Sequence, residues 1–274
     1  MSDMVAHPIR NWQSMSTTDA RALAERDPVV ILPLAAIEQH GPHLPLSTDL
    51  DIGMGLLATA FCKLPDDFPA WVLPPQAIGA SREHTSYPGT LSLAPDLLSE
   101  VIYQQGVALA RCGVRRLVLS NSHGGNRSAL DNAGLRLREE QALLVVKVNY
   151  FDLPPPKGVD LPAEEWRNGL HGGAVETSMM LHLRPDLVRP SEVKDASALG
   201  EELEELLVRL RIEGAVSFSW LAEDLSRFGL SGDARQADAS KGKLLVAYYG
   251  EALADAIRDA RAFPLERLRL RVGG

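Results

Sequence analysis

The sequence predicts an α/β fold in which a mostly parallel sheet is covered by helices on both faces. Continuous apolar runs such as Val29–Ile37 are typical of strands that are buried on both sides. Segments with the apolar spacing of helices lie between these runs, and the alternation continues through residue 151 without an internal repeat. Because strands joined by helices run parallel, ligands are expected beyond the carboxyl ends of the strands.

Four strands and three helices make up this alternating part. The second strand is weakened by Pro74 and Pro75, since proline cannot donate a hydrogen bond to a neighbouring strand. The helix after it begins with proline and has Gly113 just past its end. The expected strands are Val29–Ile37, Trp71–Ala80, Arg115–Ser120 and Leu143–Phe151, and the expected helices are Asp49–Leu64, Pro95–Cys112 and Asn126–Gln141.

The chain after Phe151 is less regular. The stretch Leu153–Gly169 contains too many prolines for either period and is expected to form an ordered loop or flap. No linker or shift in composition divides the chain, so residues 1–274 are predicted to form a single domain. A helix is expected from about Ala174 through Leu183, ending at Pro185. The helix expected at Ser197–Gly214 is amphipathic, with a solvated acidic face, and a last long helix is expected at Ala239–Phe263.

The composition limits the class of partner. The formal net charge is -8 and the pI is about 5.4, so most of the surface would repel nucleic acid or an anionic membrane. A small-molecule or peptide partner fits better. Cys62 and Cys112 form no CxxC pair and are expected to be buried thiols in helices. The N-terminus lacks the apolar core of a signal peptide and no run spans a bilayer, which predicts a cytoplasmic location.

Side chains that can bind metals follow two of the predicted strands. Glu38, His40 and Asp49 come just after the first strand, and His123 comes after the third. Glu38 and His40 are two residues apart, so in an extended segment both project to the same side. Each residue also has a structural alternative: Asp49 could cap the next helix, Glu38 could be a loop carboxylate, and His123 could be a hydrogen-bonded imidazole. Their convergence at one sheet edge favours a metal site.

A third segment of this kind is His171–Ser178, at the start of a helix. Glu176 in the first turn would complement the helix dipole, and two glycines would make the turn, but nothing in that alternative requires His171. The functional interpretation makes Glu176 a further ligand. It leaves His171 free for proton transfer, since an unperturbed imidazole pKa of about 6.5 suits neutral pH.

The candidate ligands offer three carboxylates, two imidazoles and no sulfur: Glu38, His40, Asp49, His123 and Glu176. A catalytic zinc ion usually takes three protein ligands, so this set favours two divalent ions, about 3.5–4 Å apart, bridged by one carboxylate and one hydroxide. The predicted chemistry is metal-assisted hydrolysis. Zn²⁺, Mn²⁺ and Fe²⁺ all accept mixed nitrogen and oxygen ligands, so the ligand types do not choose among them; Zn²⁺ is the expected cofactor, with Mn²⁺ or Fe²⁺ as alternatives.

Five motifs resemble the creatininase (creatinine amidohydrolase) family: Leu32–Asp49, Gly79–Leu93, Ser120–Asn126, His171–Ser178 and Gly229–Gly242. The resemblance implies a three-layer α/β/α sandwich, a dinuclear metal centre, hydrolysis of C–N bonds in amides, and a homo-oligomer, often a hexamer built from dimers. It also implies that Glu38 and His123 hold one metal, that His40 and Glu176 hold the other, and that Asp49 bridges them. The catalytic residues would then be Glu176 and His171, which matches the family's proton-shuttling histidine.

The chain departs from creatininase itself at two positions. Two residues after the histidine of the Ser120–Asn126 motif, creatininase has a glutamate associated with its exchangeable, manganese-preferring site, and this chain has Gly125. In the loop before His171, creatininase uses tryptophans to sandwich its flat ring, and this chain has Arg167, with Trp166 beside it. These departures disfavour creatinine as the substrate. Arg167 would bind a substrate carboxylate or phosphate if it faces the site, and is otherwise a solvated arginine.

Two further histidines and several functions remain open. His84 either contacts the substrate or holds its loop, and the direction of His43, after Pro42, does not follow from periodicity, so His43 is placed outside the ligand set. Other family members act on a formamide group, a C-terminal dipeptide of a precursor peptide or a cyclitol-type ring. A catalytically silent member that binds a metal or metabolite is another alternative. It predicts the loss of a ligand or of the proton shuttle, and all six candidates are present.

Overall fold

A computed structural model describes residues 9–269 of the chain. The strands of its main sheet are β1 (Val29–Leu34), β2 (Ala70–Val72), β3 (Arg116–Asn121) and β4 (Leu144–Asn149). They are all parallel, in the order β2-β1-β3-β4. A small antiparallel pair joins β5 (Asp195–Ala196) to β6 (Gly232–Asp233).

The α-helices of the described residues lie between and after these strands. They are α1 (Thr17–Ala24), α2 (Thr48–Phe61), α3 (Pro95–Arg111), α4 (Arg127–Gln141), α5 (Ala163–Asn168), α6 (Ala174–Leu183), α7 (Ala198–Leu206), α8 (Ala222–Leu225) and α9 (Ala239–Ala262). In the second half of the chain, α6 and α9 agree with the expected bounds to within a few residues, and α7 does not.

The main sheet is covered on both faces because side chains alternate along its strands. Val30 and Leu32 of β1 belong to a buried cluster with α3 and α4. Val29 and Ile31 belong to a second buried cluster, with α2 and α9. Since successive side chains of a strand point to opposite faces, one continuous apolar run serves both layers. The prediction of a three-layer α/β/α sandwich with a mostly parallel central sheet is confirmed.

Two predicted elements are shorter in the structure. The second strand keeps three residues before Pro74 and Pro75, and a single bridge at Gln76 resumes the pairing with β1. The helix expected over Ser197–Gly214 ends at Leu206. Its apolar spacing has no core to pack against there, since Val208 is 92% exposed.

Two further expectations about the chain were wrong. The stretch Leu153–Gly169 is not a loop throughout, because it includes α5, whose Trp166 packs against the core cluster beneath α6. The thiols are not both buried: Cys62 is half-buried and Cys112 is exposed, each just past the end of a helix. Both cysteines are C-cap residues, at the point where the helix leaves the core, and helical periodicity does not predict the burial of such a residue.

The location and the domain count remain predictions. Between residues 9 and 269, none of the helices combines the length and apolar character needed to cross a membrane. The first eight residues, on which the absence of a signal peptide partly rests, lie outside the described residues.

Candidate metal centre

The candidate ligands of the first and third strands meet at the carboxyl edge of the main sheet. Pairing of β1 with β3 places Leu34 opposite Asn121, which are the last residues of these two strands. The loops that follow therefore leave the sheet side by side, and they carry Glu38 and His123. Adjacent parallel strands thus account for this convergence, as the sequence predicts.

Asp49 lies between two imidazoles. Its Oδ1 is 3.2 Å from His40 Nε2, and its Oδ2 is 3.3 Å from His123 Nδ1. Glu38 Oε1 is also 3.3 Å from His123 Nδ1, while Glu176 Oε2 is 3.8 Å from His40 Nε2. The structure therefore brings all five candidates into one cluster, in which the carboxylate of Asp49 is common to two halves.

The capping alternative for Asp49 is not what the structure shows. The N-cap of α2 is Ser47, which makes no capping hydrogen bond with its side chain, and Asp49 lies inside the first turn. Asp49 is 2% exposed, and its carboxylate faces the two imidazoles. Its charge also lies near the positive end of the helix dipole, which favours the ionised form there.

Glu176 combines its two expected roles in one position. It lies in the first turn of α6, and its Oε2 accepts a hydrogen bond of 2.7 Å from the N–H of Gly172. Gly172 has a φ of 63°, and a Cβ there would lie 2.4 Å from a methyl carbon of Leu230, so this turn requires glycine. The turn holds the Glu176 carboxylate within reach of His40.

Several buried polar atoms of this cluster have no hydrogen-bond partner among the described residues. They are both carboxylate oxygens of Glu38, Nε2 of His40 and Oδ2 of Asp49. Leaving a buried donor or acceptor unpaired costs about 1–3 kcal/mol, and more for a charged group. Divalent cations accept lone pairs from carboxylate oxygens and from imidazole nitrogens. The atoms that lack partners therefore fit a metal centre.

Burial and charge both act on the protonation of the cluster. Burial disfavours a charged His40, but the carboxylates of Asp49 and Glu176 outweigh it and raise the pKa of His40 to about 10. Burial raises the pKa of Glu176 to about 7, although His40 opposes the shift. Burial also disfavours a charged His123, yet Glu38 and Asp49 hold its pKa well above the usual value. Protons on His40 and His123 therefore balance the negative charge of the carboxylates. Metal ions would replace these protons, because an imidazole has to be neutral to bind a metal.

His171 lies beside the cluster in a fixed orientation. Its Nε2 is 2.7 Å from the backbone carbonyl oxygen of Gln39, so we assign the ring hydrogen to Nε2. The other nitrogen, Nδ1, is 3.7 Å from Glu38 Oε1. Burial and the neighbouring His40 hold the pKa of His171 well below its usual value. The free nitrogen therefore faces the cluster without a proton.

His84 packs against His171. The two rings stack with centroids 4.2 Å apart and an interplanar angle of 25°. His84 Nδ1 lies 3.0 Å from the side-chain nitrogen of Gln39 and accepts its hydrogen, and His84 Nε2 is 3.6 Å from Glu38 Oε1. Burial and His171 lower the pKa of His84 to about 3. Because His84 is 1% exposed and contacts protein groups, these contacts favour the role of holding its loop.

Two other sequence candidates are engaged elsewhere. His43 Nε2 is 2.9 Å from Thr177 Oγ1, and burial lowers the pKa of His43 to about 4. Arg167 makes a two-point pair with Glu204 of α7, with both nitrogen–oxygen distances at 2.9 Å, and its side chain is 49% exposed. Within residues 9–269, no hydrogen bond or ion pair links Arg167 to the cluster, so the structure does not bring it to the predicted site.

The sequence analysis missed two residues of this region, Gln39 and Glu83. Gln39 contacts both His84 and His171, and Glu83 Oε1 lies 3.6 Å from His123 Nε2. Glu83 directly precedes His84, so an acidic residue next to a candidate histidine was a usable signal. Gln39 lies between two candidates, but the residues that it contacts are distant in sequence, so no local pattern marked it.

The chain is similar to proteins of one known family. The family model for creatininase, described as creatinine amidohydrolase, matches residues 13–257. The chain belongs to the creatininase family. It is 32% identical over 249 residues to the mycofactocin precursor peptide peptidase of Mycolicibacterium smegmatis, a match that covers 89% of this chain and 90% of that relative. It is 36% identical over 189 residues to the creatinine amidohydrolase of Pseudomonas putida, with 63% and 71% covered.

The fold agrees with this membership. A solved structure of creatininase with manganese has a TM-score of 0.70 to this chain at 26% identity, and the match covers 92% of this chain and 98% of that one. The resemblance inferred from the sequence motifs is confirmed. The chain is a hydrolase of this family, which acts on carbon–nitrogen bonds.

Proposed function

We propose that the cluster holds two divalent metal ions and hydrolyses the C–N bond of an amide, a cyclic amide or a formamide. The position of Asp49 carries this proposal, because its two oxygens lie 3.2 Å from His40 and 3.3 Å from His123. A carboxylate that faces two ligand sets through separate oxygens suits the bridge of a two-ion site. Glu38 and His123 complete one ligand set, and His40 and Glu176 complete the other.

The ligand set determines what these ions can do. When bound, they supply a Lewis acid for the substrate carbonyl and lower the pKa of coordinated water toward neutrality. The three carboxylates offset most of the positive charge, and the burial of Glu38 and Asp49 keeps bulk water from screening these two. The nitrogen and oxygen donors suit Zn²⁺, Mn²⁺ and Fe²⁺ alike, and we propose Zn²⁺ as the first ion to test.

His171 is the proposed proton carrier. The Gln39 carbonyl accepts the hydrogen on its Nε2, so a second proton has to enter at Nδ1, the atom that faces the cluster. The neutral ring can take a proton at Nδ1 and pass it to the leaving nitrogen as the C–N bond breaks. The Gln39 carbonyl keeps the ring in this orientation.

A short peptide is the second candidate substrate, beside small-molecule amides. The match to the peptide peptidase extends over 89% of this chain, whereas the match to creatinine amidohydrolase covers 63%. Trp166 packs against the core rather than standing free to stack on a flat ring. We therefore propose an amide near the end of a short peptide, or a small non-creatinine amide, as the bond that is cleaved.

Metal analysis and a substrate panel test the proposal together. The purified protein should contain close to two divalent ions per chain by plasma mass spectrometry. Chelation should abolish hydrolysis of the best substrate among cyclic amides, formamides and short peptides, and adding metal back should restore it. A protein that binds no ions would reject the metal centre. A protein that keeps its ions but hydrolyses none of the panel would favour a silent family member.

We further propose a homo-oligomer, with a hexamer as the expected state. The proposal is supported by the family resemblance of the sequence motifs. Light scattering after size exclusion measures the mass directly, and the mass of one chain is 29.8 kDa. A particle of one chain mass at working concentration would contradict the proposal.

A further inference from the structure

Glu83 brings a further carboxylate to the His123 half of the cluster. It lies in the short 3-10 turn Arg82–His84, and its Oε1 is 3.6 Å from His123 Nε2. Glu38, Glu83 and His123 each offer a ligand atom, and these atoms all lie within 4.8 Å of one another. Two ligands of one ion, each at about 2.0–2.2 Å, can be up to about 4.4 Å apart. His123 Nε2 is 3.0 Å from the carbonyl oxygen of Ala80, and Nδ1 is the nitrogen that faces Glu38 and Asp49, so the Glu83 carboxylate has to turn from the Nε2 side of the ring toward the Nδ1 side to meet this condition.

Gly125 makes room for the Glu83 carboxylate. A Cβ atom at position 125 would lie 2.6 Å from Glu83 Oε1 and 2.3 Å from the backbone oxygen of Ala80. The second distance involves backbone, which cannot rotate away. Residue 125 is therefore glycine for a steric reason, and the acidic group above it comes from the turn around Glu83. The loop after β3 and the turn before α3 fit each other at this point.

Glu38 supplies an independent indication that a cation lies here. Its two oxygens are buried, and neither has a hydrogen-bond partner among the described residues. His123 and His84 approach Oε1 only to 3.3 and 3.6 Å, without forming such a bond. A buried carboxylate that faces Nδ1 of His123 and a second carboxylate is stable when a positive charge lies among them.

We propose that Glu83 is a further ligand of the ion held by Glu38, Asp49 and His123. The inference rests on the metal assignment of the proposed function. It makes the two halves of the centre unequal, since the His123 half then has four protein ligands, while the His40 half has His40, Glu176 and the shared Asp49. The ion beside His123 should consequently be bound more tightly than the ion beside His40.

The test measures metal binding rather than turnover. Glu83→Gln keeps the shape and removes the charge, and Glu223→Gln is the matched control, because Glu223 is an exposed acid that accepts a hydrogen bond from Ser86. Zinc affinity is measured by competition with a chromophoric chelator. We expect Glu83→Gln to weaken the tighter site at least about tenfold, since even groups that only orient ligands change metal affinity by about 10–100-fold. Glu223→Gln should bind both ions as the unchanged protein does.

A crystal structure of the zinc-loaded protein, with anomalous scattering to locate the ions, gives the second readout. A Glu83 oxygen should lie about 2.0–2.2 Å from the ion beside His123. Ions with both Glu83 oxygens beyond coordination distance, or unchanged affinity of a folded Glu83→Gln variant, would overturn the inference. If the unchanged protein binds no ions, the metal assignment itself fails. If it binds two ions that Glu83→Gln does not weaken, the role of Glu83 alone fails.

Discussion

The ring of His171 is fixed by the backbone of Gln39, whose carbonyl oxygen lies 2.7 Å from His171 Nε2. The side chain of the same Gln39 donates to His84 Nδ1 and to the carbonyl of Gly229, at 3.0 and 2.7 Å. One residue therefore sets the orientation of His171 directly and supports the ring stacked upon it. A proton carrier that needs one defined free nitrogen benefits from this arrangement.

Removing the proposed proton carrier should slow the reaction without removing the metals. For His171→Ala we expect turnover to fall by about 10²–10⁴-fold, the usual contribution of a positioned acid or base. Metal content and steady-state kinetics measured on the same sample check this. The control is His182→Ala, which removes an exposed imidazole from α6. Full activity of His171→Ala would refute the role, and loss of an ion would make His171 a ligand instead.

Removing the shared carboxylate should disable both halves of the centre. Asp49→Ala is expected to lose at least one ion and all measurable hydrolysis, because His40 and His123 both lose the carboxylate that they share. The fold should survive. Asp51→Ala is the matched control: it lies in the same turn of α2 but bonds to Ser47 and Arg184 instead. Two tightly bound ions in Asp49→Ala, measured by plasma mass spectrometry, would contradict the bridging assignment.

Two adjacent glycines should respond very differently to a methyl group. A Cβ at Gly125 would lie 2.3 Å from the Ala80 oxygen and 2.6 Å from an atom of Glu83, whereas a Cβ at Gly124 meets nothing within 4 Å. Gly125→Ala should therefore destabilise the fold by about 1–3 kcal/mol, as overpacking usually does. Gly124→Ala should change the free energy of unfolding by less than about 0.5 kcal/mol. Urea unfolding of both variants compares them, and equal stabilities would show that the loop adapts.

The start of α9 should make stability depend on pH in the acid range. Asp238 is the N-cap, and its Oδ1 accepts a hydrogen bond of 2.8 Å from the N–H of Lys241. Hydrogen bonds from Ser240 and from this N–H lower the pKa of Asp238 to about 2. Because the folded pKa lies below the unfolded value of about 3.9, the stabilisation is complete above about pH 4. It is lost as the pH falls through about 2.

Asp238→Ala tests this at neutral pH. Loss of an N-cap should lower the free energy of unfolding by about 1 kcal/mol at pH 7, and the difference from the unchanged protein should shrink as the pH drops toward 2. Asp255→Ala, an exposed position later in α9 that pairs with Arg258, is the control and should have a much smaller effect. A destabilisation by Asp238→Ala that does not change with pH would show that the carboxylate charge is not its cause.

The fold and the clustering of the predicted ligands could be inferred from sequence because both follow from short-range patterns. The apolar run of β1 identifies a buried parallel strand, and the spacing of Glu38 and His40 places both on one side of the segment after it. The loops that follow adjacent parallel strands lie at the same edge of the sheet, so His123 is predicted to lie near Glu38 and His40. These inferences require only the order of strands and helices and the period of each.

Other features depend on tertiary contacts that no local pattern contains. The end of α7 at Leu206 follows from a lack of apolar partners for the next residues, and Val208 is 92% exposed. The position of Glu83 depends on the steric fit between its turn and Gly125. The choice of Glu204 as the partner of Arg167 depends on how α7 packs near α5.

The register of β1 against β3 has a consequence for how the two proposed ions would leave. Glu38 and His123 follow adjacent strands joined by backbone hydrogen bonds, whereas Glu176 is attached to α6, which packs against α2 and α9 through side chains. Half of α6 is buried, but it lies outside the hydrogen-bonded sheet and can open locally without breaking the pairing of β1 with β3. Opening of α6 alone would therefore release the proposed ion beside His40. Release of the proposed ion beside His123 would also require the segments after β1 and β3 to separate. The release rates of the two ions should differ, and the rate of amide hydrogen exchange in α6 should match the faster of them.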